Sequence, residues 1–547
     1  MNYLGSSDWL VIGLYLTGIV ALGVWFGKDQ RNTRDYFLGS KNTPWWGIGL
    51  SIVAAETSAL TIIGVPAMAF GGNIMFIQMI VGYVIARIIL AVVMVPHYLK
   101  GEIYSPYQLF SDRFGPAARQ TAGGLFLISE ILAAGVRVYV VSIPIQLMLG
   151  REWLGALTRY PLLALHRLTG VDTPPDFAGD PVLGAILLFV FLSLVYTYIG
   201  GVKAVIWTDA VQFGLFLAGG LFTLFYIPSQ IEGGWPVTWK MAAEAGKLHW
   251  FNPAFSWSAP FNIWMGIIGG TVMVLSSHGA EQLIVQRVLA CGTVTDGRKA
   301  LVLSAVLIFP LFLVFLLVGA FLAVYYQLNP IAIPIPEARA GIQANDFIFP
   351  IFMLTEVPHI LKGFLIVAIL SAAMASVSSA LTSLASVSTM DFVKPFRSGK
   401  PEEHYLKFSR YSTVFWAGVL VLTAYLSREV AFVLNAAFTL RGLTSGALLG
   451  GLILAVFARL RGPRPIVIGM LVSLVFMIGV SQLKWTVDVG SRPEIRTVFW
   501  PWFTLIGTTV TLVTAWIVHR LEPPSAAPAG RQNPPAPSVT PAPPPTR

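Results

Sequence analysis

The sequence predicts an all-α polytopic membrane protein of about 13 transmembrane helices, with a five-plus-five inverted-repeat core and discontinuous helices at its binding site. Three observations predict it. Of 547 residues, 55% are hydrophobic and 11% charged, the balance of helices in lipid rather than of a soluble enzyme. Apolar runs recur at span length, each near the roughly 20 residues that cross about 30 Å of hydrocarbon. Lys and Arg cluster in short loops between the apolar runs, so the net charge of +10 follows the positive-inside bias and is not a nucleic-acid footprint.

The runs lie at 8–27, 45–70, 74–96, 119–148, 181–199, 204–228, 261–289, 300–326, 358–390, 409–427, 430–457, 464–483 and 499–519. The first ends in a basic segment and reads as a retained helix, not a cleaved signal. Lys28, Arg31, Arg34 and Lys41 place the first loop in the cytoplasm and the N-terminus outside. Lys100/Arg113/Arg119, Lys203, Arg298/Lys299, Lys394/Arg397/Lys400/Lys407 and Arg459/Arg461/Arg464 then fall on the cytoplasmic side as well. An odd helix count leaves the C-terminus inside, and the expected location is the plasma (inner) membrane. The expected organisation is an extra N-terminal helix and cytoplasmic loop (1–44), a first repeat of helices 2–6 (45–228), a second repeat of helices 7–11 with external loops (229–457), two peripheral helices (458–520) and a disordered Pro/Ala-rich tail (521–547). The single Cys291 excludes a disulfide framework and a thiolate metal cage.

Two runs look interrupted. The second carries Glu56 and Thr57 and then Gly64 and Pro66; the seventh carries Gly269-Gly270 and then the polar stretch Ser276–Gln282. Breaks beside polar residues at similar places in two five-helix blocks of opposite topology mark a transporter binding site. The ninth run is the third polar feature. Between Gly363 and Asp391 it intersperses Ser371, Ser376, Ser378, Ser379, Thr382, Ser383, Ser386, Ser388 and Thr389 with apolar residues. Hydroxyls there face protein, water or an ion, because lipid offers no partner. They serve either close helix packing or a lining of oxygen ligands for a hard cation.

Ionisable groups inside a membrane are costly, about 2.5–3.5 kcal/mol each at a helix centre on insertion scales. Glu56 has two readings: a ligand at an unwound helix, or a salt bridge, with Arg87 the expected partner. Asp209 lies six residues past Lys203, about 9 Å along the helix axis, and is either a snorkelling juxtamembrane charge or a buried carboxylate for a cation. Arg137 pairs with Glu130 two turns earlier or forks onto a substrate carboxylate. Arg287 is expected to anchor its helix near the cytoplasmic end. Arg441 is another intramembrane cation, read as a salt bridge or as part of a substrate path, and His278 with Glu281 is too few ligands for a transition metal.

Four motifs then carry a resemblance. Asp35-Tyr36-Phe37-Leu38-Gly39 follows the first run, Gly200–Gln212 enters the sixth, Gln282-Leu283-Ile284-Val285-Gln286-Arg287 ends the seventh and Ser376–Asp391 closes the ninth. In this order and spacing the chain resembles the solute:sodium symporter family of proline, glucose, sialic acid, iodide, monocarboxylate and multivitamin transporters. The stretch from Gly200 to Asp209 is most similar to the monocarboxylate and multivitamin branch. The resemblance implies an inverted-repeat core with sodium held by the carbonyls of Ala54, Thr57 and Ala372 and the hydroxyl of Ser376. A second hydroxyl ligand is expected at position 375, where this chain has Ala375; Glu56 would compensate or bind a proton. Some members hold a second sodium at positions matching Asp209, Ser378 and Ser379. The sugar-binding pattern of the glucose branch is not matched at Thr61, Ser277 and His278.

These readings converge on a secondary active transporter, not an enzyme: sodium-coupled symport of a small polar solute, an organic anion or amino or keto acid rather than a sugar, by alternating access. Expected cation ligands are Ala54, Thr57, Ala372, Ser376, Asp209, Ser378 and Ser379. Expected substrate-side residues are Glu56, Thr61, Gln78, Arg137, Ser277, His278 and Gln282. Na⁺ is the coupling ion, with no transition metal and no organic cofactor. The expected partners are the solute and the lipid bilayer, with no nucleic acid and no obligate protein. A proton-coupled or sodium-independent transporter and a transporter-like solute sensor are the alternatives.

Overall fold

The computed structural model describes residues 3–27, 32–101, 103–169, 177–335, 337–339, 342–343, 345–429, 433–458, 460, 462–489 and 492–522. Lys28, Arg31, Arg459, Arg461 and nearly all of the expected tail lie outside them. The principal helices are α1 (Ser6–Gly27), α2 (Trp45–Glu56), α3 (Ala59–Gly71), α4 (Ile77–Val93), α5 (Pro116–Leu149), α6 (Pro181–Ser229), α7 (Thr271–Gly279), α8 (Gln282–Leu289), α9 (Val294–Leu328), α10 (Leu361–Val387), α11 (Glu402–Leu426), α12 (Val433–Phe457), α13 (Arg464–Gln482) and α14 (Phe503–Leu521). Short shoulder helices and two β-hairpins complete the described chain. Among the described residues, eight helices are long and apolar enough to cross a membrane, or nine if the bent α2–α3 pair is one span. Among the described residues, each of the thirteen apolar runs overlaps one or more helices. The fifth and sixth share one helix, α6, of 49 residues, which turns at Gly201 (φ 52°, ψ −164°). That left-handed backbone favours glycine.

Both interruptions are present, at the polar residues and not at the glycines and proline beside them. α2 and α3 meet at 56°, and the extended residues between them are Thr57 and Ser58. The Ser58 hydroxyl accepts from Leu60 N at 3.2 Å, capping α3 as short hydroxyl side chains do. Pro66 stays inside α3. In the seventh run the break falls at Ala280–Glu281, where Glu281 is extended (φ −101°, ψ 132°) and opens α8. Gly270 instead ends a π turn, Met265–Gly270. Its neighbour Gly266 and Gly82 of α4 let two backbones touch: a Cβ on either would overlap the other strand of chain.

The hydroxyl-rich α10 is the most enclosed span, 94% of its apolar window being buried. It packs against α6, α1 and α5 and against both halves of the broken α2–α3 pair. Its small residues permit that approach; Gly219 of α6 meets Ala368, as small-residue interfaces in membranes do.

Candidate functional site

The two breaks face one cavity. It holds about 880 Å³ free of protein atoms, mouth included, and is lined from α2 and α3 by Glu56 and Thr61, from α5 by Arg137, from α7 by Ser277 and His278, and from the second break by Glu281. Five expected substrate-side residues (Glu56, Thr61, Arg137, Ser277 and His278) are thus brought together. Gln78 and Gln282 are placed elsewhere. Gln78 accepts from Asn252 N at 3.1 Å, and Gln282 donates to Tyr104 O at 2.7 Å and to Ser386 Oγ at 3.1 Å.

The intramembrane charges resolve into pairs around this cavity. Glu56 is ion-paired with Arg87, the expected partner, and His278 Nε2 lies 3.5 Å from the same carboxylate. Arg87 is fully buried, and its Nη1 also donates to Tyr83 O at 3.0 Å. Glu281 and Arg441 form a two-pronged pair, Arg441 Nε reaching Oε1 at 3.1 Å and Nη2 holding Oε2. Of the two readings of Arg441, the salt bridge is thus present, with Glu281 as partner. Arg137 approaches Glu130 at 3.4 Å through Nη1, a long contact beside the 2.7–2.9 Å usual for charge-assisted bonds. Three acids and three arginines therefore balance, and Arg137 is the most loosely held of the cations.

Below the cavity Asp209 is fully buried, so the snorkelling reading is not realised. Its Oδ2 accepts from Ser51 Oγ at 2.6 Å and from Arg287 Nη2 at 2.8 Å. Arg287 also donates from Nε to Ser51 Oγ at 2.8 Å and from Nη2 to Ser379 Oγ. Arg287 is 2% exposed; it is not an anchor at the cytoplasmic surface but the hub joining α2, α6, α8 and α10. Ser378 and Ser379 both donate to Ala375 O, at 3.1 and 2.5 Å. Asp209 Oδ1 is buried without a hydrogen-bond partner. A guanidinium is thus seated between Asp209 and Ser379, on the other carboxylate oxygen, Oδ2.

The other expected cation ligands lie on α2–α3 and on α10, elements that pack against one another. Ala54 and Ala372 are fully buried, Thr57 is the extended residue at the break, and its hydroxyl is buried without a partner. Ser376 Oγ donates to Ala373 O at 3.0 Å, leaving its lone pairs available. Carbonyls of an unwound segment opposite a serine hydroxyl are a donor set that suits a hard monovalent cation. No cluster of three or more His, Cys, Asp or Glu able to hold a metal is present among the described residues.

Sequence reasoning missed Tyr83, Phe438 and Trp500 on the cavity wall. Tyr83 follows Gly82 in an apolar run and reads there as core; its hydroxyl, however, is buried without a partner. Trp500 belongs to the last helical run, far along the chain from every polar break.

The family model for the sodium:solute symporter family matches residues 36–161 and 177–472. The chain belongs to the sodium:solute symporter family. It is 28% identical to the sodium/sialic acid symporter SiaT of Proteus mirabilis over 485 residues, 87% of this chain and 89% of that one. It is 26% identical to the human sodium-coupled monocarboxylate transporter 1, over 89% of this chain and 73% of that one. Its fold is similar to that of a Na⁺-coupled sialic acid symporter solved in a substrate-bound outward-open state, with a TM-score of 0.77, 26% identity and coverage of 95% and 99% of the two chains. The protein is a multi-pass membrane protein of a transporter family whose coupling ion is sodium, consistent with its nearly all-helical fold and broken helices.

Proposed function

We propose that this symporter takes up a small carboxylate-bearing solute together with Na⁺ by alternating access, in the plasma membrane with the N-terminus outside and the C-terminus inside. The observation that carries the reading is Arg137. It lines the cavity, is 11% exposed, and among the described residues has only the 3.4 Å polar contact to Glu130. Arg87 and Arg441, by contrast, are committed to Glu56 and Glu281. A guanidinium fork with free donors is suited to a planar carboxylate. Relatives named for sialic acid and for monocarboxylates act on carboxylates and so support the choice over a neutral sugar.

On this reading the carbonyls of Ala54, Thr57 and Ala372 and the hydroxyl of Ser376 hold the sodium, and that ion ties α10 to the α2–α3 break. Glu56 is engaged by Arg87 and His278, so it compensates poorly for the missing hydroxyl at Ala375. Residues 45–228 and 229–457 would be the two repeats that move about the site, each carrying one broken helix with a carboxylate at its break. Sodium drives uptake only if it binds the outward-facing state better than the inward-facing one.

The test is saturable ²²Na⁺ binding and uptake in proteoliposomes across carboxylates, amino acids and sugars. Sodium binding raised by carboxylates, and lost with Ser376→Ala, is expected. The Arg137→Gln/Glu130→Gln double variant, which leaves no buried charge unpaired, is expected to bind sodium but not to take up carboxylates. Uptake that follows pH at zero sodium would favour proton coupling through the Glu56–His278 pair instead.

A further inference from the structure

One wall of the cavity comes from outside the two repeats. Trp500, on the turn that opens α14, and Thr504, on its first helical turn, both line it. Trp500 is 3% exposed and stacks on Phe438 of α12 with ring centroids 4.4 Å apart and planes at 14°. Phe261 meets it edge-on at 6.3 Å. The indole N–H, the only polar group of the side chain, donates to Asn435 Oδ1 at 3.1 Å. The ring therefore borders the cavity as an apolar aromatic surface and has no donor left to offer.

The wall is fixed in place. Thr504 Oγ1 and Ser445 Oγ share a hydrogen bond of 2.8 Å, and Ser445 O accepts from Ser276 Oγ of α7 at 2.7 Å. Gly446 and Gly507 bring α12 and α14 into backbone contact at the next turn. A solute hydroxyl set against this face loses water without gaining a partner, whereas a flat or apolar body gains burial and stacking.

We propose that Trp500 is a specificity-determining residue: with Phe438 it forms an aromatic wall that accepts the planar or apolar body of a carboxylate held at Arg137 and disfavours a polyhydroxylated one. This rests on the carboxylate reading of the cavity. It assigns the C-terminal helix, beyond the repeats, a part in choosing the solute.

The experiment is ligand-induced thermal stabilisation of the full-length purified protein in sodium, with phenylacetate and gluconate as probes. Wild type, Trp500→Ala and Trp500→Phe are compared. Wild type is expected to half-saturate with phenylacetate at a concentration about tenfold below that for gluconate. Trp500→Ala is expected to weaken phenylacetate about tenfold while gluconate is unchanged, and Trp500→Phe to restore most of the difference. The unchanged gluconate response shows that the Ala variant is folded. A wild type that prefers gluconate, or a Trp500→Ala that weakens both probes equally, overturns the proposal and leaves the carboxylate reading standing. A wild type stabilised by neither acid overturns both.

Discussion

Arg287 Nη2 lies 2.8 Å from Asp209 Oδ2, so a tethered guanidinium sits on the carboxylate expected to receive a second sodium. A sodium shared by Asp209 Oδ2 and Ser379 Oγ would take the place that Arg287 Nη2 holds between them. Removing one partner of a buried pair leaves an uncompensated charge, at a cost of about 3–5 kcal/mol. Asp209→Asn and Arg287→Gln are each expected to lower the thermal unfolding temperature sharply, and the double variant to recover most of the loss. Additive losses in that double-mutant cycle would show that the two side chains do not act as a pair.

Position 375 separates the two roles of α10. Ala375 is fully buried, and its carbonyl already serves Ser378 and Ser379. Ala375→Ser adds the hydroxyl the resemblance calls for and is expected to lower the sodium concentration for half-maximal uptake. Ser376→Ala removes a hard oxygen ligand and is expected to raise it about tenfold, a difference of roughly 1.4 kcal/mol. Sodium titrations of uptake at fixed solute read both; unchanged titrations in both variants would move the cation site away from α10.

Backbone contact at Gly82 and Gly266 leaves no room for a methyl group. Gly82→Ala is expected to force α4 away from the π turn and to cost about 1–3 kcal/mol, seen as lower yield of monodisperse protein. Gly13→Ala, with open space around the position, is the matched control and is expected to behave as wild type.

The α10 helix is fastened at its N-terminal end by α1. Asp8 Oδ1 accepts from Ile360 N at 2.8 Å and Gly363 N at 3.1 Å, and Oδ2 contacts His359 Nδ1 at 2.5 Å. Ile360 has φ 73°, a conformation that a branched side chain adopts only when its surroundings enforce it. Asp8→Asn retains one acceptor oxygen and is expected to be mild, while Asp8→Ala is expected to lower stability by about 1–3 kcal/mol. Equal melting temperatures for the two variants would rule out the fastening role.

The broken helices were legible in the sequence because polar residues inside an apolar run have few outlets other than a cavity. The polar residues mark the breaks and the glycines and proline do not: the extended residues are Thr57, Ser58 and Glu281, whereas Pro66 and Gly269-Gly270 stay within helical turns. The proline keeps its place within α3, and glycine at 266 and 82 serves helix contact. The Glu130–Arg137 pair could be read from its spacing of seven on one helix. Glu281–Arg441 and Asp209–Arg287 could not, since helical periodicity carries no information about partners 160 and 78 residues apart. Trp500 was silent for the same reason: nothing local to a terminal helix says which cavity it faces.

The charge balance around the cavity has an electrical consequence. Because Glu56–Arg87, Glu130–Arg137 and Glu281–Arg441 cancel pairwise, the carrier brings little fixed charge of its own to the moving site. The current is then set by the cargo. One sodium with one monovalent carboxylate crosses silently, indifferent to voltage, whereas each additional sodium moves an elementary charge worth about 2.3 kcal/mol per 100 mV. A voltage-clamped membrane would in this way count the cations directly.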